Sequence, residues 1–212
     1  IKFSMRPCSS LGTLGFNTPS GMISTGFTTP ESIELHQILK IIKDGGGQYV
    51  PMEISSHAIE LYRTNDVNLD IAIFTNLGFD HLDFHKSQKN YFSSKLKLFT
   101  SLNKNSISIL NIDDDKTKNI INNIKCNYFT YGFNNKADLQ IISYSLSLNG
   151  SKANFKIHNK TIPIRTKLIG KFNLLNLAAA MLCAMKINIP IEIILESIKY
   201  FDNVPGRFEK YI

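Results

Sequence analysis

Two isoleucine-rich runs without a charged side chain constrain the fold of this chain more than any other feature of its sequence. Residues 71–74 and 106–112 form these runs, which are typical of strands buried on both faces of a sheet. Between them, residues 88–99 place apolar side chains at helical spacing. Because strands that alternate with helices favour parallel pairing, we predict an α/β fold with a mostly parallel, doubly wound sheet.

The pattern changes after residue 138, where three strands are predicted in quick succession, at residues 139–148, 153–158 and 161–167. Asn149-Gly150 links the first two strands, and Asn-Gly is a strong signal for a β-hairpin. We therefore expect a small antiparallel β meander over about residues 139–167.

Helix boundaries are predicted from capping residues and spacing. Pro30 begins a helix with Thr29 as its N-cap, apolar residues recur at helical spacing over 35–42, and glycines 45–47 end it. The first thirty residues, rich in Gly, Ser, Thr and Pro, are predicted as a loop with one short strand. Further predicted elements are a strand at residues 49–54, a helix through Ile124 capped by Asp113, Asp114 and Asp115, and helices at 173–185 and 190–200.

Composition excludes several classes of protein. With 43% apolar and 19% charged residues, the chain is not a disordered tail, a collagen-like rod or a charged coiled coil. The net charge is +7, but 20 of the 24 basic residues are lysines without an arginine cluster, so we expect no nucleic-acid partner. The longest apolar run, 177–185, is too short to span a membrane, and three cysteines without a CxxC pair favour reduced thiols. The first residue is Ile, and we expect a piece of a longer protein.

Polar side chains follow two of the predicted strands. Residues 53–57 (Glu-Ile-Ser-Ser-His) offer a carboxylate for Mg²⁺ and hydroxyls for phosphate or carboxylate oxygens; alternatively, Ser55 or Ser56 caps a helix. Residues 75–85 carry two Asp and two His near their end. That density suggests metal or phosphate chemistry, with zinc binding by His81 and His85 as one possibility, or a turn whose side chains satisfy the backbone.

Two helical segments carry further candidates. Lys95 shares a helix face with aromatic residues, so it is either an ordinary solvated lysine or an amine kept neutral by burial and therefore reactive. Asn173 and Asn176 begin a helix with a stripe of small residues, where they either bind a base or ribose or cap the helix.

Taken in order, these segments resemble the central, ATP-binding domain of the Mur ligases, a family of ATP-dependent amide ligases in peptidoglycan synthesis. The resemblance runs from about Gly12 to Glu209 and is closest to the subfamily that adds the third peptide residue. The stretches that carry it are Thr28-Thr29-Pro30, residues 53–58, Arg63, 74–77, 80–85, Tyr91 with Lys95, 111–114, 170–173 with Asn176, and 205–209.

The resemblance implies a three-layer, P-loop-like fold and a reaction. ATP would phosphorylate the terminal carboxylate of UDP-N-acetylmuramoyl-L-alanyl-D-glutamate, and the amine of meso-diaminopimelate or L-lysine would attack the acyl phosphate. It also implies ATP and Mg²⁺ as co-substrate and cofactor, no membrane insertion, a monomer and a bacterial cytoplasm. By resemblance, Glu53 and His81 are Mg²⁺ ligands, and Lys95 is carbamylated and supports a second Mg²⁺. The resemblance makes Lys95 and His81 the catalytic residues. It also implies that the nucleotide-sugar peptide is bound by Thr28, Thr29, Ser55 and Arg63, and that Asn173 and Arg207 lie on the ATP side.

The chain departs from the family pattern in several places. Phe27, Leu61 and Gly78-Phe79 stand where the family usually has polar residues. No GxxxxGK[ST] phosphate loop occurs; it is expected upstream of Ile1. We predict a central domain over residues 1–206, incomplete at its N-terminus, followed at 207–212 by the start of a linker to a C-terminal domain, and we expect the 212-residue chain alone to be inactive.

Two alternatives share the fold. One is a ligase similar to folylpolyglutamate synthase, against which Arg63 and the Asp83-Phe84-His85 ending count. The other is a non-catalytic remnant that only binds ligand, for which the absent phosphate loop is the main argument.

Overall fold

The computed structural model describes residues 4–18, 21–24 and 26–202. It divides the chain into two compact units. One unit comprises Ile1–Leu69 and Gly78–Ser101, and the other comprises Asp70–Leu77 and Leu102–Ile212. No helix among the described residues is long and apolar enough to cross a membrane.

Where the first unit is described, it combines a small antiparallel sheet with four helices. The sheet has the strand order β1-β2-β3, where the sequence predicted one short strand. Gly15 begins β2 with a φ of +98°, and a Cβ there would lie 2.1 Å from the Ile23 carbonyl oxygen, so only glycine fits this turn. The elements are β1 (Leu11–Gly12), β2 (Gly15–Thr18), β3 (Gly21–Ile23), α1 (Ser32–Asp44), α2 (Ser56–Glu60), α3 (Leu82–His85) and α4 (Gln88–Thr100).

Helix α1 packs its apolar face against the small sheet. Its buried residues Leu35, Ile38 and Ile42 form one cluster with Leu11 and Phe16, as their helical spacing in the sequence requires. The helix ends at the predicted glycines, with Gly45 in the C-cap position. Its predicted start is wrong, however. The N-cap position belongs to Glu31 rather than Thr29, because the Thr29 hydroxyl is hydrogen-bonded elsewhere.

The strand predicted at residues 49–54 is reduced to two isolated bridges, Cys8 with Tyr49 and Leu11 with Met52. The segment is extended and runs parallel to residues 8–11: Leu11 N donates to the Pro51 carbonyl oxygen at 3.0 Å. Pro51 has no N–H of its own, which limits the ladder that can form here. The pairing still fixes the residues that follow it, because Glu53 N donates to the Leu11 carbonyl oxygen at 2.9 Å.

The second unit is built on a six-stranded sheet in chain order, β4-β5-β6-β7-β8-β9. The first four strands pair in parallel and the last three antiparallel, so the predicted meander is confirmed as an extension of the parallel sheet. Helix α6 packs on β5, β6 and β7, and α7 packs on β9. The elements are β4 (Ile71–Phe74), β5 (Ile107–Asn111), α5 (Thr117–Asn123), β6 (Asn127–Gly132), β7 (Leu139–Ser147), β8 (Gly150–Ile157), β9 (Lys160–Thr166), α6 (Lys171–Lys186) and α7 (Ile191–Tyr200).

Most predicted elements of this unit are confirmed, including the α/β class with a mostly parallel sheet flanked by helices. Strand β6 was not predicted. The aspartates at 113–115 do not cap α5, whose N-cap position is Lys116 without a side-chain hydrogen bond. Instead, the Asp113 carboxylate accepts hydrogen bonds from Phe133 N and Asn134 N, just after β6.

Candidate active site

The buried hydroxyl of Thr29 organises the segment that carries Glu53 and Ser55. It donates to the Glu53 carbonyl oxygen at 2.9 Å and accepts from Ser55 N at 3.1 Å. Thr29 is only 1% exposed, so its side chain has no free surface for a substrate. Its contribution to the site is to hold the backbone on both sides of Ile54.

The carboxylate of Glu53 is exposed and anchored through one oxygen. Oε2 accepts from Thr13 N at 3.0 Å and from Thr13 Oγ1 at 2.7 Å, and Thr13 Oγ1 lies 3.1 Å from Thr28 Oγ1. A Cβ at position 12 would lie 2.9 Å from Glu53 Cδ, so Gly12 leaves the space that this position of the Glu53 side chain occupies. Oε1 has no partner among the described residues and is the kind of hard oxygen donor that Mg²⁺ prefers. This carboxylate therefore fits a role as a magnesium ligand.

Arg63 is a mostly buried cation, with its side chain 11% exposed. It donates to the Thr29 carbonyl oxygen at 3.1 Å, pairs with the Glu31 carboxylate at 2.5 Å, and places its guanidinium 4.9 Å from the centre of the Phe27 ring. Its Nε is buried and has no partner among the described residues. Glu31 is 60% exposed, and its carboxylate shows that the Arg63 fork can receive a carboxylate from the solvent side.

Helix α2 supports the alternative that one of the two serines is a cap. Ser55 is its N-cap, and its Oγ accepts from Ala58 N at 3.1 Å. Ser56 is buried, and its Oγ lies 2.8 Å from His85 Nε2. Capping leaves Ser55 Oγ able to donate a hydrogen bond to a ligand, so the two interpretations of this residue are compatible.

His81 precedes the short helix α3 in a left-handed conformation, with a φ of +57°. Its side chain is 42% exposed, and its Nε2 lies 3.9 Å from the Asp80 carboxylate. The predicted zinc pair with His85 is not supported, because His85 is buried and already bonded to Ser56. Among the described residues, no group of three or more His, Cys, Asp or Glu side chains could hold a metal ion.

Three histidines, His57, His81 and His85, pack together with the rings of Phe84 and Tyr91, the second of which lies on α4. The ring centre of His57 lies 4.9 Å from that of His81, 5.6 Å from that of His85 and 4.1 Å from that of Phe84. Burial, followed by repulsion from His81, lowers the pKa of His57. Burial, followed by repulsion from His57, lowers the pKa of His85 in the same way. His57 and His85 therefore favour their neutral forms at neutral pH.

Lys95 lies on α4 next to this cluster, with its Nζ 5.0 Å from the centre of the Tyr91 ring. It has no ion pair with the described residues. Burial alone lowers the pKa of its ammonium group, so the fraction of reactive neutral amine is higher than in an ordinary solvated lysine. Two positions further on, Lys97 is exposed and pairs with Glu60, as a solvated lysine does.

The first unit thus contains seven of the predicted site residues: Thr28, Thr29, Glu53, Ser55, Arg63, His81 and Lys95. Asn173 belongs to the second unit, in the first turn of α6. It does not cap the helix, because the N-cap position is Gly170 and has no side-chain hydrogen bond. Instead, its Nδ2 donates to the Ile169 carbonyl oxygen at 2.8 Å, which leaves its amide oxygen without a partner among the described residues. Arg207 lies outside the described residues.

The sequence did not identify the residues that position this site. Thr13 holds the Glu53 carboxylate from 40 positions away, and His85 reaches Ser56 across 29 positions. Ser94 Oγ donates to the Ser56 carbonyl oxygen at 3.0 Å, 38 positions away. No local spacing in the sequence predicts such contacts. The signal available for Thr13, Ser56 and Ser94 was only their small hydroxyl side chains, and the fold buries two of the three, Ser56 and Ser94.

The sequence profile described as Mur ligase middle domain matches residues 3–184. The chain is 37% identical to the UDP-N-acetylmuramoyl-L-alanyl-D-glutamate–2,6-diaminopimelate ligase of Aquifex aeolicus (strain VF5) over 199 residues, 94% of this chain. It spans only 40% of the length of that relative.

Two solved structures resemble the chain. A structure of a UDP-N-acetylmuramoyl-L-alanyl-D-glutamate–2,6-diaminopimelate ligase matches with a TM-score of 0.86 and 25% identity, over 97% of this chain and 43% of that one. The MurF ligase of Thermotoga maritima in complex with ADP matches with a TM-score of 0.73 and 18% identity, over 96% of this chain and 44% of that one. At that identity, the second match is evidence of a shared fold alone.

Proposed function

Because the chain belongs to the Mur ligase family and corresponds to its middle domain, we propose that the whole protein is an ATP-dependent amide ligase. It adds a diamino acid to UDP-N-acetylmuramoyl-L-alanyl-D-glutamate in peptidoglycan synthesis. The observation that carries the proposal is the 37% identity, over 94% of the chain, to a ligase named for this reaction. That relative also supports this substrate over the folate substrate of folylpolyglutamate synthase.

The reaction has two steps. The terminal carboxylate of the nucleotide-sugar dipeptide takes the γ-phosphoryl group of ATP, and ADP leaves. The amino group of the diamino acid then attacks the acyl carbon, a tetrahedral intermediate forms, and phosphate leaves as the amide bond is made. Phosphoryl transfer of this kind depends mainly on positioning the reactants and neutralising their charge.

Arg63 and the residues around it in the first unit bind the nucleotide-sugar peptide. The guanidinium is held by the Thr29 carbonyl oxygen and the Phe27 ring, and its fork suits a carboxylate. A substrate carboxylate takes the place of the exposed Glu31 carboxylate. Thr28 and Ser55 offer hydroxyl groups to the same ligand, and the buried Thr29 acts through the backbone that it holds.

Glu53 and His81 would hold Mg²⁺. When bound, this cation supplies positive charge that neutralises the phosphate oxygens. Thr13 keeps Glu53 Oε2 occupied, so that Oε1 faces the ligand. Lys95 takes up CO₂ at its neutral amine, loses a proton and becomes a carbamate, which converts a cation into an anion able to support a second Mg²⁺. Its lowered pKa supports this step, because only the neutral amine reacts with CO₂.

ATP is the phosphoryl donor in this proposal, with Asn173 and Arg207 on its side of the reaction. The ADP in the solved MurF ligase of Thermotoga maritima supports adenine nucleotide binding by this fold. The free amide oxygen of Asn173 is available to a ribose or base.

The test uses the full-length protein with ATP, Mg²⁺, UDP-N-acetylmuramoyl-L-alanyl-D-glutamate and either meso-diaminopimelate or L-lysine. Amide product and phosphate release are measured together. The wild-type protein should form the tripeptide, with meso-diaminopimelate as the preferred amine. Lys95→Ala should abolish turnover and leave the circular dichroism spectrum unchanged, whereas Lys97→Ala on the same helix should keep most activity. Absence of wild-type product would overturn the function, and full activity of Lys95→Ala would overturn the role of Lys95.

A further inference from the structure

The turn that presents His81 is one that the chain does not favour by itself. Helix α3 has only four residues, and a left-handed residue lies at each end of it: His81, with a φ of +57°, and Lys86, with a φ of +64°. Left-handed backbone is disfavoured for residues with a Cβ, and a single helical turn is not stable in isolation. Contacts with the rest of the unit must therefore hold this turn in place.

His85 is the anchor of the turn. It is 5% exposed, whereas Leu82 and Phe84 are 40% and 38% exposed. Its Nε2 lies 2.8 Å from Ser56 Oγ at the start of α2, and its carbonyl oxygen accepts from Asn90 Nδ2 at 2.9 Å. The one buried side chain of the turn is thus a polar group with a specific partner, which fixes the turn's position more sharply than an apolar contact does.

His85 is also linked to Lys95, through the ring of Tyr91. The His85 ring stacks on the Tyr91 ring at 5.1 Å with an interplanar angle of 29°. Tyr91 also contacts His81 edge-on at 5.9 Å and lies 5.0 Å from Lys95 Nζ. The buried Tyr91 ring therefore contacts His85 as well as His81 and Lys95.

We propose that His85 is a positioning residue: through Ser56 and Tyr91, it holds the left-handed turn that presents His81 against the ring that also contacts Lys95. The catalytic consequence of this inference rests on the proposed ligase function. The anchoring itself does not, because it concerns only the contacts of the first unit.

Hydrogen exchange on the full-length protein tests the anchoring. His85 N and Lys86 N donate to the carbonyl oxygens of His81 and Leu82, at 3.0 and 2.9 Å, and report directly on the turn. In His85→Leu, these two amides should exchange at least about tenfold faster, with α1 unchanged. His85→Gln, whose amide nitrogen can reach the position of Nε2, should restore slow exchange. Asp83→Asn, an exposed change in the same turn, is the control and should have no effect.

Steady-state kinetics test the consequence for catalysis. His85→Leu should lower kcat at least about tenfold while the KM for ATP changes less than about threefold, and His85→Gln should recover most of kcat. A general loss of structure would instead lower the amount of active protein in His85→Gln as well as in His85→Leu. If His85→Leu does not fold, Ser56→Ala removes the same hydrogen bond from the other side and is measured in its place.

The outcomes separate the two proposals. Unchanged exchange in both His85→Leu and Ser56→Ala would overturn the anchoring. Faster exchange with an unchanged kcat would overturn the positioning role. A wild-type protein that makes no amide product would overturn the ligase function and the catalytic role together, and the exchange rates would still decide whether His85 holds the turn.

Discussion

Lys95 Nζ lies 5.0 Å from the centre of the Tyr91 ring, and no carboxylate among the described residues pairs with it. A half-buried ammonium group without a counter-ion costs free energy in the folded state. The protein retains this unfavourable group at the position that we propose to be carbamylated, which is expected of a group that serves chemistry rather than stability.

Lys95→Met should therefore stabilise the protein at neutral pH in CO₂-free buffer, by about 1 kcal/mol. The pKa of Lys95 is lowered by burial, so the unfolded chain binds the proton more tightly than the folded one. The gain from methionine should be present at neutral pH and shrink as the pH rises towards the ordinary lysine value of 10.5. Urea unfolding at several pH values measures it.

The matched control is Lys97→Met, which removes an exposed lysine paired with Glu60 on the same helix. It should lower stability slightly, by less than about 1 kcal/mol. A Lys95→Met variant that is less stable than wild type in CO₂-free buffer would contradict the unpaired, desolvated ammonium group.

Thr29→Val should destabilise the first unit strongly. Valine has the shape of threonine, but it leaves Ser55 N and the Glu53 carbonyl oxygen without the partner they share. Two unsatisfied backbone groups at a site that is 1% exposed should cost about 2–4 kcal/mol in the free energy of unfolding. Thr29→Ser keeps the hydroxyl group and should recover most of this loss. Urea unfolding compares the two variants, and a loss below about 0.5 kcal/mol in Thr29→Val would show that water replaces the hydroxyl.

Sequence patterns predicted elements whose determinants are local. Helix α1 follows from the spacing of Leu35, Ile38 and Ile42, and the β7–β8 hairpin follows from Asn149-Gly150. Strand β6 (Asn127–Gly132) was missed because its sequence is half polar, and its polar groups are satisfied only in the folded sheet. Thr130 bonds Asp138, and the buried hydroxyl of Tyr131 donates to the Phe74 carbonyl oxygen at 3.1 Å.

The candidate site likewise contains residues that could be proposed from the sequence and residues that could not. Glu53, His81 and Lys95 could be proposed from the sequence because their residue types and order match a family pattern. Their supports could not, because Thr13 and His85 act across long separations in the chain. The left-handed backbone at His81 is equally invisible to local propensity, since it depends on what holds the turn from outside.

The run of three aspartates offers an internal comparison of a bonded and an unbonded carboxylate. Asp113 accepts from Phe133 N at 2.6 Å and from Asn134 N at 3.0 Å, and so ties the loop after β5 to the end of β6. Asp115 is exposed and has no hydrogen bond or ion pair with the described residues. Asp113→Ala should lower the free energy of unfolding by about 1–3 kcal/mol, and Asp115→Ala should change it by less than about 0.5 kcal/mol. Equal effects of the two changes in thermal unfolding would refute the specific role of Asp113.

The ion pair between Glu60 on α2 and Lys97 on α4 should make a small contribution to stability that disappears in acid. Both carboxylate oxygens accept from Lys97 Nζ at 2.8 Å, and this hydrogen bonding lowers the pKa of Glu60 below its ordinary 4.5. A carboxyl group with a lowered pKa in the folded state stabilises the fold above its ordinary value and loses that effect as the pH falls through the lowered pKa.

Glu60→Gln should therefore cost less than about 1 kcal/mol at pH 7, because the side chains of Glu60 and Lys97 are 28% and 52% exposed and salt screens the pair. The difference from wild type should shrink once the pH falls below 4.5. Urea midpoints of wild type, Glu60→Gln, Lys97→Met and the double variant give the coupling energy at each pH. A coupling energy that persists in acid would mean that packing of the two side chains, rather than their charges, joins α2 to α4.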